Sequence, residues 1–294
     1  MKKLLFALAS LLLVFIAGCG KTPDEELAGK VPAAANALCF IDGNSIVQTK
    51  LYKDHQADIL KELKEASLPE ELPQCRVLIF GSTKEEWVGG LIQSAGGQVR
   101  KIYDKLLAES KKDESCKDLK ETAEGKLRKV TCTVEGKKLL ALLYHDDLLL
   151  IALNKTDPAF FRAKPVNPLL KEIALKETLV SAAAQIELPP EGQNKDLDTA
   201  VQMFPALKKL RSVAVNVPFS EDKPEMDFRA VFQDDAAANE MLAAINMGLG
   251  LLTRSDDKDI AKTVGMINRK AEKNTVLVSF PITELVREAE KKLK

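Results

Sequence analysis

LRKVTCTVEGKKLLALLYHDDLLLIAL, residues 127–153, contains three apolar runs separated by two short polar turns. The runs cover residues 127–134, 138–144 and 148–153, and the turns are Glu135-Gly136 and His145-Asp146-Asp147. Short apolar runs that are rich in leucine, valine and threonine and bounded by such turns predict β-strands. Two-residue and three-residue turns favour antiparallel neighbours, so we expect an antiparallel sheet.

Further strands and helices alternate on both sides of this segment. The other predicted strands cover residues 38–41, 75–80, 87–92, 179–186, 213–217, 226–232 and 276–280. Apolar residues recur at helical spacing in residues 51–63, 99–107, 197–210, 235–252 and 257–271. Pro281 marks the start of a last helix. The sequence therefore predicts an α+β fold with antiparallel sheets and helices packed on them.

The order of predicted elements in the first half recurs in the second. We interpret the chain as two similar α+β repeats, residues 31–163 and 164–294, which meet at the proline-rich segment 164–168. Repetition predicts that each half has its own sheet with the same strand order, and a single continuous sheet would refute it. It also makes the helix from Val99 equivalent to the helix from Asp235. Convergent α+β patterning is the alternative explanation.

The first twenty residues have the parts of a bacterial export signal. Lys2 and Lys3 precede an apolar run at residues 4–17, which is shorter than the roughly 20 residues of a membrane-spanning helix. The following Gly18-Cys19 completes Ile16-Ala17-Gly18-Cys19, which resembles the lipobox of bacterial lipoproteins. An ordinary cleaved signal and an uncleaved anchor are the alternatives.

The lipobox resemblance implies an attachment and a location. Residues 1–18 would be the signal peptide, Cys19 would carry two or three acyl chains, and residues 19–30 would form a polar tether. Two chains suffice for stable anchoring. Gly20 stands where an aspartate often signals inner-membrane retention in enteric bacteria, so the outer membrane is favoured, with the fold on its periplasmic side. The opening Val31-Pro32-Ala33 resembles uncharacterised extracytoplasmic proteins, and this second resemblance implies no catalytic residues.

Composition indicates a folded protein without affinity for nucleic acid. Cleavage before Cys19 leaves 276 of the 294 residues, and 46% of the chain is hydrophobic. The mature chain keeps 41 basic and 43 acidic side chains, so it has no basic excess for nucleic acid. We expect the partners to be the membrane, through the lipid on Cys19, and an unknown envelope protein or apolar ligand.

Four cysteines remain after Cys19. In an oxidising compartment an even number of cysteines predicts disulfides. A hairpin turn at residues 123–125 would place Cys116 opposite Cys132, which leaves Cys39 for Cys75. Four buried thiols, each acting as a small apolar side chain, are the alternative.

Motifs of catalysis and phosphate binding are missing from the sequence. It contains no nucleophile elbow, Walker loop, dinucleotide glycine motif or HExxH pair. His145-Asp146-Asp147 is the densest titratable group, and we interpret it as a polar hairpin tip. Trp87 is predicted to lie in the core, and Gly89-Gly90 to mark a bulge or a close contact within a strand. We predict no catalytic residues, no cofactor and no metal site.

These observations predict a non-catalytic envelope lipoprotein that binds or scaffolds another envelope component. One alternative is a carrier that holds an apolar ligand or lipid between a sheet and the alanine-rich helix at residues 235–252. Another is a hydrolase with an unrecognised, dispersed site. An apolar cavity would favour the carrier, and a cleft with convergent pKa-perturbed groups would favour the enzyme.

Overall fold

The computed structural model describes residues 24–65, 69–70, 72–94, 96–162, 166–219, 225–254 and 264–282. The predicted signal peptide and Cys19 lie outside this range, and so does the predicted helix after Pro281 from residue 283 onward. The described residues form twelve β-strands and six α-helices. The predicted α+β class is confirmed.

Helices and strands are interspersed along the chain, and four consecutive strands follow residue 115. The strands are β1 (Ala37–Asp42), β2 (Arg76–Ser82), β3 (Trp87–Gln93), β4 (Cys116–Glu124), β5 (Leu127–Val134), β6 (Lys137–His145), β7 (Leu148–Leu153), β8 (Thr178–Gln185), β9 (Leu210–Pro218), β10 (Glu225–Phe232), β11 (Asn268–Glu272) and β12 (Thr275–Pro281). The helices are α1 (Asp24–Ala28), α2 (Gly43–Ile46), α3 (Lys50–Glu65), α4 (Gln98–Lys112), α5 (Lys195–Met203) and α6 (Asp235–Leu252). Short 3₁₀ helices cover Leu72–Gln74, Pro158–Arg162, Pro168–Lys171 and Pro205–Lys209.

The strands follow one hydrogen-bonded order, β11-β12-β10-β9-β8-β1-β2-β3-β7-β6-β5-β4. The predicted separate sheet in each half is therefore wrong. Contacts between residues divide the chain into two compact units, Met1–Ser181 (unit 1) and Ala182–Lys294 (unit 2). This division lies within β8, whereas the sequence placed it between residues 163 and 164.

Unit 1 is built on β1-β2-β3-β7-β6-β5-β4, and both faces of its central strands are buried. On one face, Val77 and Leu149 pack with Leu63 of α3 and Ile102 of α4. On the other face, Phe80 of β2 contacts Phe161, with ring centroids 6.2 Å apart. Burial on both faces explains why β7 reads LLLIAL without polar alternation.

Unit 2 is built on β8-β9-β10-β12-β11, and α6 packs against this sheet. Ala237 and Ala238 of α6 are buried beside Phe232 of β10 and Val276 of β12. The predicted helix over residues 257–271 is wrong at its end, because Asn268–Glu272 forms β11. Residues 257–263 of that prediction lie outside the described range.

The two units share an order of elements. In each unit the first three strands are neighbours, and the third pairs with the last strand of the unit. A helix and a 3₁₀ turn precede the second strand, α3 with Leu72–Gln74 in unit 1 and α5 with Pro205–Lys209 in unit 2. The helices α4 and α6 follow the third strand, and among the described residues unit 1 has two more strands than unit 2. The shared order of elements agrees with the predicted repeat, but the single strand order is the result named above as refuting it.

The β4–β5 hairpin has a different register from the predicted one. Its turn is Gly125-Lys126, with Glu124 opposite Leu127, rather than residues 123–125. A bulge at Asp118, whose φ is +55°, shifts the pairing between Lys117 and Lys120. Cys116 consequently lies opposite Val134 and not opposite Cys132.

Candidate binding surface

The first half of α6 is held firmly on unit 2. The carboxylate of Asp234 accepts the backbone N–H of Ala237 at 2.9 Å, and it accepts a hydrogen bond from Lys209 Nζ at 2.9 Å. The helix N-terminus favours a negative charge at this position. These contacts, the Ala237 N–H first among them, lower the pKa of Asp234.

The second half of α6 exposes large apolar side chains. No charged residue occurs between Glu240 and Arg254. Met247 and Leu251 are each 65% exposed, and Leu252 is 47% exposed. A surface helix ordinarily turns such residues toward the core and its polar residues toward solvent. Here the solvent side is apolar, which is the feature that marks interaction sites on folded proteins.

An apolar groove continues this surface between α6 and the end of α5. It has a volume of about 260 Å³ and is open to solvent. Its lining consists of Met203, Phe204, Ala206, Glu240, Met241, Ala243, Ala244 and Met247. Met203, 63% exposed, stands at the groove as the last residue of α5. We call the groove together with Met203, Met247, Leu251 and Leu252 the α6 patch.

The α6 patch differs from the cavity that the carrier hypothesis predicts. That hypothesis placed a ligand between the sheet and α6, but side chains fill this space. Ala206, Ala230 and Phe232 pack there against Ala237 and Ala238. The groove lies instead beside the helix, where α6 meets α5. The alanines thus allow close packing on one side of α6 and a shallow groove on another.

Leu242, Ile245, Leu249 and Leu252 recur at helical spacing and therefore share one face of α6. Leu242 and Ile245 pack against the core of unit 2, whereas Leu252, near the end of the same face, is 47% exposed. Met203 and Met247 carry no motif that would single them out in the sequence. The lack of charged residues from 241 to 253 is the signal in the sequence that could have found Met247.

The His145-Asp146-Asp147 segment is a hairpin tip, as predicted. His145 Nε2 lies 3.0 Å from Glu26 Oε1, and Asp147 accepts the backbone N–H of Gly97 at 3.0 Å. Asp146 lies 3.5 Å from Arg100 Nη1. Within the described residues, no group of three or more His, Cys, Asp or Glu side chains is placed to hold a metal ion. The tip therefore ties α1 and α4 to the sheet.

The structure brings one predicted cysteine pair together. Cys116 and Cys132 lie on the same face of the β4–β5 hairpin, in one apolar cluster with Val134 and Leu139. The pKa of Cys132 is raised to about 12. Burial of the thiol is the largest cause, and its hydrogen bond with the Cys116 thiol is the next. A disulfide between them stays a prediction.

The second predicted cysteine pair is not brought together. Cys39 of β1 faces Ile79 of β2, and Cys75 lies four residues before Ile79. At roughly 3.3 Å per residue the two cysteines are about 13 Å apart along the strand, whereas a disulfide requires Cα atoms within about 7 Å. Burial raises the pKa of the Cys39 thiol. Both cysteines act as apolar side chains of the unit 1 core.

Two further predictions about unit 1 are confirmed. Trp87 is 3% exposed and packs edge-on against Phe160, with ring centroids 5.0 Å apart, so it belongs to the core. A Cβ atom on Gly89 would lie 2.6 Å from the ring of Phe80, which is the close contact expected of a strand glycine.

One buried polar residue had no signal in the sequence. Asn167 has no exposed surface, and its Nδ2 donates to the carbonyl oxygens of Pro32 and Ala35 at 2.8 Å each. Its Oδ1 accepts the backbone N–H of Leu169 at 2.9 Å. Asn167, within the predicted boundary segment 164–168, thus fastens its own part of the chain onto unit 1.

Among known proteins, the chain is similar to solved structures at low sequence identity. No family model matches the chain, and no curated protein sequence matches it. Crystal form IV of TP0453 matches with a TM-score of 0.45 and 9% identity, over 89% of this chain and 95% of that chain. Crystal form I of TP0453 matches with a TM-score of 0.46 and 7% identity, over 92% and 96%. At these scores the likeness carries no argument about function. Among the helices of the described residues, none is long and apolar enough to cross a membrane.

Proposed function

We propose that this protein is a non-catalytic envelope lipoprotein that binds an apolar segment of another envelope protein through the α6 patch. The observation that carries this proposal is the exposure of Met247 and Leu251 on a helix whose opposite side is packed. The resemblance of residues 16–19 to a lipobox supports attachment to the membrane through Cys19. The favoured location is the periplasmic side of the outer membrane.

The chemistry of the α6 patch suits an apolar protein segment. Methionine side chains are flexible and polarizable, so Met203 and Met247 can adapt to the shape of a partner. The groove carries one acidic residue, Glu240, and no other charged side chain. Its volume of about 260 Å³ is below the roughly 300–1,000 Å³ of small-molecule pockets. A few side chains from a helix or strand of the partner match this volume and its open form.

The test uses a photo-cross-linking residue in place of Met247 in cells. The control position is Val166, which is apolar and 64% exposed but belongs to unit 1. A partner cross-linked from position 247 and not from position 166 is identified by mass spectrometry and purified. Its affinity is then measured for the wild type, for the double variant Met247→Gln, Leu251→Gln, and for Val166→Gln.

We expect the double variant to bind the purified partner at least about tenfold more weakly. Burying one large apolar side chain contributes about 1.5–3 kcal/mol, and 1.4 kcal/mol corresponds to a factor of ten. Val166→Gln should bind like the wild type. Equal affinities for all three proteins, or identical cross-links from positions 166 and 247, would show that the α6 patch is not the binding surface.

A carrier of an apolar ligand is the second candidate, because the groove itself is apolar. Native mass spectrometry of the purified protein separates the two proposals. A bound lipid that is lost in Met247→Gln but kept in Val166→Gln would favour the carrier. A protein partner with the dependence described above would favour the first proposal.

A further inference from the structure

We infer that the end of unit 1 that carries α1 faces the lipid headgroups of the membrane. This membrane-facing end consists of α1, Lys30, Tyr144 and the hairpin tip at residues 145–147. The inference rests on the proposed lipidation of Cys19. It adds an orientation, since it names the surface of unit 1 that lies against the bilayer.

The backbone and apolar contacts of α1 attach it to unit 1. Leu27 has no exposed surface, and Val31 is 1% exposed. The N–H of Lys30 donates to the carbonyl of Leu27, and the N–H of Val31 donates to that of Ala28. A five-residue helix is not stable by itself, so these tertiary contacts hold it. The fixed part of the chain therefore begins close to Asp24, and the prediction that the polar tether extends to residue 30 is wrong for residues 24–30.

Two side-chain contacts place α1 at one end of the sheet. Glu26 Oε1 lies 3.0 Å from Nε2 of His145, which is the last residue of β6. Lys30 Nζ lies 4.1 Å from the centroid of the Tyr144 ring. Asp147 of the same hairpin tip accepts the N–H of Gly97, just before α4. These contacts fix α1 beside the hairpin tip.

The short chain between Cys19 and Asp24 limits the distance to the bilayer. Five residues span at most about 18 Å when fully extended. The acyl chains on Cys19 would lie within the bilayer, so Cys19 itself would be held at the membrane surface. Because α1 is fixed to the sheet, the hairpin tip must stay near that surface as well.

Trp87 marks the opposite end of the unit 1 sheet. Gln93 of β3 pairs with Leu148, next to the hairpin tip, whereas Trp87 begins β3 and pairs with Ser82. Six residues at about 3.3 Å each separate Trp87 from Gln93, which is roughly 20 Å. Trp87 is also the single tryptophan of the chain. It is therefore an intrinsic reporter of the end that faces away from the membrane.

The test measures energy transfer from tryptophan to dansyl-labelled phosphatidylethanolamine in phosphatidylcholine vesicles. Lipidated full-length wild type, with Trp87 as its donor, is compared with Tyr144→Trp, which adds a donor at the hairpin tip. We expect a higher transfer efficiency in Tyr144→Trp than in the wild type. A twenty-residue Gly-Ser insertion after Gly20 adds a root-mean-square span of about 25 Å, and it should reduce this gain.

Each outcome of the test has a defined meaning. Equal or lower transfer in Tyr144→Trp, with the protein acylated and bound to vesicles, overturns the orientation and leaves the proposed lipoprotein standing. Mass spectrometry of the N-terminal peptide tests the anchor separately. A mature peptide without acyl groups on Cys19 overturns the anchor and the orientation together. A gain that the inserted linker reduces supports both.

Discussion

Replacing Asn167 by alanine should lower the free energy of unfolding of unit 1 by about 3 kcal/mol. Asn167 has no exposed surface and makes three hydrogen bonds of 2.8 to 2.9 Å to main-chain groups of Pro32, Ala35 and Leu169. Each such bond contributes about 1 kcal/mol net, and its loss leaves a main-chain group without that partner. A change of about 3 kcal/mol is more than a hundredfold in the folding equilibrium.

Asn167→Asp is the matched variant, because aspartate has nearly the same shape. It keeps the oxygen that accepts the N–H of Leu169. It also places a carboxylate oxygen against the carbonyl oxygens of Pro32 and Ala35, where the wild type has a donor. A buried charge without compensating donors is costly, so Asn167→Asp should be less stable than Asn167→Ala.

The assay is urea unfolding followed by tryptophan fluorescence. The single tryptophan, Trp87, is a core residue of unit 1, so its emission reports this unit. The free energy follows from the midpoint and the slope of the transition. The reasoning fails if Asn167→Ala lies within about 0.5 kcal/mol of the wild type, the usual range of surface substitutions, or if Asn167→Asp is the more stable variant.

Three further results are expected. Gly89→Ala should lower the free energy of unfolding by about 1–3 kcal/mol, because its Cβ would lie 2.6 Å from the Phe80 ring, whereas Gly90→Ala, with no atom within 4 Å, should be neutral or slightly stabilising in the same urea assay. The depressed pKa of Asp234 means that its charge stabilises the fold above the ordinary aspartate pKa of about 3.9, and that this contribution is lost as pH falls through the lower folded value. Asp234→Asn should therefore show less acid destabilisation than the wild type by circular dichroism, and equal acid sensitivity would count against the ion pair and cap. Cys116 and Cys132 should be linked in a non-reduced peptide map, since closing this loop contributes about 3 kcal/mol, and two free thiols in oxidised folded protein would exclude the bond.

Local turn chemistry explains why most strands could be predicted. Glu135 and Gly136 both have positive φ, of 46° and 76°, as a type I′ hairpin turn requires. This turn fixes Val134 opposite Lys137 and sets the register of β5 and β6. Asp234 likewise caps α6, a role that aspartate commonly takes just before a helix. Such signals lie within a few residues of the structure that they determine.

The remaining features depend on contacts that are distant in sequence. The amino-acid sequence around Asp118 carries no signal of a bulge. Aspartate adopts a positive φ where the surrounding structure requires it. β11 consists of polar residues and Ala271, so it lacks the alternation of apolar and polar residues that predicts a strand. It is a strand because it pairs with β12. The periodicity of α6 gives an apolar face but does not state what covers that face.

The outermost strands of the sheet order, β11 and β4, bear on which kind of contact this protein can make with another protein. An outermost strand offers unpaired main-chain groups to any passing chain, and natural proteins block this growth with charged side chains and bulges. β4 reads CKDLKETAE and carries the Asp118 bulge, and β11 reads NRKAE. Both strands therefore resist extension by a foreign strand. Recognition through main-chain pairing is disfavoured at these two edges, so side-chain burial on a helix is the more accessible route to a partner.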